Sequence, residues 1–97
     1  MKRTIYKYYI NNVRRQEVDL PQGFEILHVG QQDGNLVLWA MVDADAPTHK
    51  VPIMIFGTGH PVPEDLYLYH VGTVQVGAFV WHVFEDVTEE TNYIESK

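Results

Sequence analysis

The sequence contains no cysteine and a single serine, Ser96, beside its C-terminal residue. The first absence excludes disulfides, thiolate metal sites and cysteine nucleophiles, and fits an intracellular protein. The second leaves no serine placed for nucleophilic catalysis. No apolar run continues unbroken for the ~18 residues that a membrane span needs. The basic start MKRTIYKYYI lacks the long apolar core and small-residue cleavage site of a signal peptide, so none is expected. Apolar residues do not recur at helical spacing over any dozen positions.

Positive charge is also scarce after the first turn of chain. Lys2, Arg3, Lys7, Arg14 and Arg15 precede residue 16 with no acid among them, and beyond them only Lys50 and Lys97 oppose thirteen acids. The net charge is −6. Such a body is a poor general binder of nucleic acid, where phosphate neutralisation dominates affinity. The basic segment is expected either to form a local anion site or, more simply, to pair with the acidic body of its own or another subunit.

What remains is a chain of 97 residues, one domain in length, rich in short apolar segments with period-two alternation. Expected strands run from Thr4 to Ile10, Gln16 to Leu20, Phe24 to Val29, Leu36 to Asp43 and Val51 to Phe56. Two more lie within Tyr67–Glu85, the longest apolar stretch. Asn11-Asn12, Pro21 to Gly23 and Asp33-Gly34-Asn35 carry turn chemistry. Gly77 is the expected turn residue of the last hairpin, and Val76-Gly77 predicts a loose turn or a bulge there. The fold class is therefore all-β: a six- to seven-stranded antiparallel meander forming a small barrel or sandwich over residues 1–86, with 87–97 as an acidic, frayed tail. Trp39, Ile55, Val80, Trp81 and Phe84 are the expected core. The strands with two apolar faces predict a homo-oligomer, most simply a two-fold dimer.

The chemistry-bearing stretch is the loop Phe56-Gly57-Thr58-Gly59-His60-Pro61. Gly57 and Gly59 offer backbone N–H groups that can cradle an anion, Thr58 adds a hydroxyl, and His60 adds a donor able to charge near neutral pH. Arg3 or Arg14 is expected to reach in from the basic segment. A plain strand-end turn explains the same glycines. The five histidines are irregularly spaced, and no metal site, catalytic residue or cofactor is expected from them. His70 and His82 flank the last turn and are expected to face each other across it.

Three stretches, LWAMVDADAP (Leu38–Pro47), FGTGHP (Phe56–Pro61) and VGTVQVGAFVWHVFE (Val71–Glu85), together resemble a family of small proteins of tailed bacteriophages and prophages, a domain of unknown function. The likeness extends to IYKY (Ile5–Tyr8) and LPQGFEILHV (Leu20–Val29). It implies a phage origin and a compact β domain, and brings no catalytic residue with it. The functional expectation is an accessory protein in the cytoplasm of the infected bacterium. It would act by binding a small anionic, nucleotide-derived ligand or a host protein, and so counter host defence. A virion or assembly component is the alternative; a histidine- or metal-dependent enzyme comes last.

Overall fold

The computed structural model describes residues 2–89. Seven antiparallel strands form two sheets: β1 (Arg3–Ile10), β2 (Arg15–Pro21), β3 (Glu25–Gln32), β4 (Asn35–Asp43), β5 (Thr48–Gly57), β6 (Leu68–Val76) and β7 (Phe79–Asp86). The first sheet has the order β1-β4-β3 and the second β2-β5-β7-β6. The fold is thus the all-β sandwich rather than a closed barrel. It is not a plain meander, because only β3–β4 and β6–β7 are hairpins of adjacent strands and the chain otherwise changes sheet or skips a neighbour.

Period-two alternation places one side of each strand in the core. Leu36, Leu38, Ala40 and Val42 of β4 meet Val51, Ile53 and Ile55 of β5, with Val18, Leu20, Val29, Val74 and Val83 completing the cluster. β4 is central in its sheet, and β5 and β7 are central in theirs, as their two apolar faces require. The sheets close against each other where β3 meets β6. Gly72 makes that approach possible: a Cβ there would stand 2.8 Å from the Cβ of Val29.

Turn chemistry reads directly. Asp33 and Gly34 take positive φ (51° and 81°), as the β3–β4 hairpin demands, and Gly77 does so at 60°. The last hairpin turn is tight, with Val76 paired to Phe79, so the expected looseness is absent there. The bulge lies instead at the far end of β6, between His70 and Gly72. Neither Asn11 nor Asn12 uses the left-handed region; that turn is clipped by Gln16, whose side chain bonds both the N–H and the C=O of Asn11.

The expected core needs correction. Ile55 is buried, but Trp39, Val80, Trp81 and Phe84 are only partly so. Trp39, Val80 and Phe84 fall on outward-facing positions, and Trp81 lies at the open end of the sandwich beside Gly57. Met54 and Phe56 are buried in their place although they too face outward. Of the expected tail, Val87 donates to the Tyr67 C=O and Thr88 accepts from the Tyr67 N–H; residues 90–97 lie outside the described residues.

Candidate functional site

The loop after β5 folds back on itself. The Gly57 N–H donates to the His60 Nδ1 at 3.1 Å, the His60 N–H returns to the Gly57 C=O, and the Thr58 N–H is taken by the Val80 C=O. Three of the loop's N–H groups are therefore spent within the protein and do not form an open anion cradle. Gly59 has positive φ (89°), whereas Gly57 does not. Gly57 is small for a different reason, since a Cβ would meet the His60 ring at 2.8 Å and Trp81 at 3.2 Å.

What the loop presents outward is side chain. Thr58 Oγ1 lies 2.8 Å from His82 Nε2. His82 Nδ1 lies 3.2 Å from Thr73 Oγ1, which lies 2.9 Å from His70 Nε2. Cross-strand register builds this chain: Phe56, His82 and Thr73 form one rung across β5, β7 and β6, and Met54, Phe84 and His70 form the next. The bulge is essential to it. His70 and Thr73 are three apart and would face opposite ways in a regular strand, and the extra residue turns both outward. With neutral imidazoles the chain can run in either direction, because each hydroxyl both donates and accepts.

Two arginines lie across β5. Arg14 holds its guanidinium 4.7 Å from the centre of the Phe56 ring and, among the described residues, makes no ion pair. Arg15 passes over Met54, with Nη1 3.4 Å from its Sδ, and binds Asp86 at 2.6 Å. Phe84 packs edge-on against both Phe56 and His70. Burial by itself raises the Asp86 pKa, but bonds from Thr88 and Arg15 outweigh it and hold the carboxyl below its usual 3.8.

Two depressions flank the loop and share Gly57, Thr58 and His60. One, of about 410 Å³, is walled by Phe79 and Trp81, whose rings stack 5.9 Å apart. The other, of about 210 Å³, is walled by Phe56, Val62, His82 and Phe84. Of the residues expected at the site, Gly57, Thr58, Gly59 and His60 form the loop, and Arg14 lies against it through Phe56. Arg3 does not join them. It is at the start of β1 in the other sheet, opposite Asp43, with its guanidinium on the Met41 sulfur at 3.1 Å. His70, Thr73, His82 and Phe79 escape a reading of the loop alone. His70 and His82, expected to face each other across the turn, instead stand on neighbouring rungs and are linked through Thr73; the signal for that offset is the glycine inside β6, which marks a bulge. Among the described residues, no group of three or more His, Asp or Glu side chains could hold a metal ion.

Residues 1–93 match the model of a family described as a domain of unknown function, DUF7352, and the chain belongs to that family. No curated protein and no solved structure matches it.

Proposed function

We propose that this member of the family is a phage-encoded accessory protein that acts by binding, in the cytoplasm of an infected bacterium. Its ligand is a small anion bearing a planar ring, of the nucleotide-derived class used in bacterial immune signalling. The observation that carries this reading is the position of the Thr58 loop between an exposed ring and an unpaired cation. Phe79, 64% exposed, offers a stacking face on one side. Arg14, without an acid partner among the described residues, lies on the other beside Phe56. A phosphate held there would accept from Arg14 and from the Thr58 hydroxyl, and charge-assisted bonds of that kind are about twice as strong as neutral ones. The phage origin rests on the resemblance of the Leu38–Pro47, Phe56–Pro61 and Val71–Glu85 stretches.

Binding is favoured over catalysis by the surroundings of His82. The Thr58–His82 distance suits a nucleophile and its base. Among the described residues, however, the other imidazole nitrogen is held by a threonine hydroxyl and not by a carboxylate that would stabilise an imidazolium.

Calorimetric titration with a cyclic dinucleotide and with a nucleoside diphosphate tests the proposal. At least one should bind, and Arg14→Ala and Phe79→Ala should each weaken it about tenfold or more. Phe79→Ala should leave the unfolding midpoint unchanged, and Arg14→Ala, which also uncovers Phe56, should remain folded at the titration temperature. No binding by either ligand, or wild-type affinity in Arg14→Ala, refutes it.

A further inference from the structure

Among the described residues, the first sheet ends in a strand with one open edge. β1 pairs with β4 and, among the described residues, with no other strand. The Ala44 N–H donates to the Lys2 C=O, which fixes the phase of the ladder. Thr4, Tyr6, Tyr8 and Ile10 therefore exchange bonds with β4, while Arg3, Ile5, Lys7 and Tyr9 turn their N–H and C=O groups to the open edge. The side chains of those same four residues all project from the outward face of the sheet. They alternate basic, apolar, basic, aromatic. Ile5 is 53% and Tyr9 63% exposed.

Exposed edges are normally protected by shortness, proline, a bulge or a covering element. β1 has eight residues, and its pairing with β4 runs unbroken from Arg3 to Ile10. Among the described residues its one protective feature is positive charge. Lys7 lies 4.9 Å over the Tyr9 ring and donates to Gln32, and Arg3 rests on Met41; neither is in an ion pair among the described residues. Asp43, in register with Arg3, accepts instead from the Lys2 and Asp45 N–H groups.

We infer that the β1 edge is a docking site for an extended acidic segment of another protein, added as a fourth strand to the first sheet. Backbone bonds to Arg3, Ile5, Lys7 and Tyr9 would supply the affinity. Specificity would come from acids opposite Arg3 and Lys7 and apolar side chains opposite Ile5 and Tyr9, so the partner strand carries acid and apolar residues alternately on its outward face. A second copy of β1 fits less well. Lys2, Arg3 and Lys7 from each copy would share one ladder with no acid in either strand.

The probe is the synthetic peptide ETVTETVT, compared with its lysine counterpart KTVTKTVT, at low salt. The acidic peptide should bind at least tenfold more tightly, and should slow hydrogen exchange at the Ile5 and Lys7 amides while leaving those of Tyr6 and Tyr8 unchanged. Ile5→Pro removes an edge-facing N–H without touching the β4 ladder, and should abolish binding. The charge reversal Arg3→Glu with Lys7→Glu keeps the backbone intact and should invert the preference between the peptides. Equal affinity for the two peptides, or unchanged exchange at Ile5 and Lys7, overturns the inference. So does a dimer in sedimentation that Ile5→Pro dissolves, because the edge would then be taken by a second copy.

Discussion

The outward faces of the two sheets are built alike and finished differently. Both carry apolar side chains at alternate positions of their central strands. On the second sheet the chain covers its own face: Arg15 lies over Met54, Arg14 and Phe84 lie against Phe56, and Met54 and Phe56 are only 5% and 2% exposed. On the first sheet only part of the face is closed. Val37 is buried, but Ile5 and Tyr9 remain open beside an edge that no other described strand pairs with. An apolar outward face therefore does not by itself call for a partner subunit. The long stems of two arginines can seal it, burying methylenes while their charged heads stay near water. Where no such cover exists, the exposed surface is free for another molecule.

The largest effect that could break this contrast is in Phe56. If it is core despite facing outward, Phe56→Ala should cost about 3–5 kcal/mol, the usual penalty for a buried aromatic. Tyr9→Ala, on the other sheet's outward face, should stay within about 0.5 kcal/mol. Urea unfolding of both variants decides it, and similar losses would erase the distinction.

A smaller effect is expected at the seam where the sheets meet. Gly72→Ala forces a methyl against Val29 and should cost about 1–3 kcal/mol. Adding Val29→Ala makes room, so the double variant should lose less than the sum of the two single losses. Strict additivity would mean that the close approach of β3 and β6 carries no strain.

The smallest effect concerns the ionic cover of the second sheet, which among the described residues the first lacks. Asp86 has a lowered pKa in the folded protein, so it binds a proton more weakly folded than unfolded. Its contribution is fully present above the unfolded value, near 3.8, and is lost as pH falls through the lower folded value. Wild-type stability should thus fall below about pH 4, and Asp86→Asn should flatten that part of the profile while lowering stability at neutral pH. An identical acid limb in the variant would show that the Arg15–Asp86 pair is not part of the cover.

Much of the fold was legible because it is locally determined. Asp33-Gly34 and Gly77 announce positive φ, which sterics deny to most residues. Leu36–Asp43 is apolar at every position but its last, as a strand covered on both sides must be. The burial of the aromatics was less legible. Trp39, Val80 and Phe84 were expected inside because they are large and apolar, and they lie outward because period-two alternation gives the inner positions to Leu38, Ala40 and Val83. Of the site, the Gly57–His60 loop and Arg14 were visible as residues, and their arrangement was not.

The sequence by itself determined the strands, the positions of the turns and the placement of five of the seven basic residues before residue 16. These follow from backbone sterics, side-chain alternation and composition, which act over a few residues. Only the tertiary structure decided that β1 and β2 would part into different sheets, and that Arg14 would reach Phe56 while Arg3 would not. It also decided that a bulge would bring His70, Thr73, His82 and Thr58 into one hydrogen-bonded chain. Each of these depends on register between strands far apart in the chain, and a shift of one residue would turn every side chain to the opposite face.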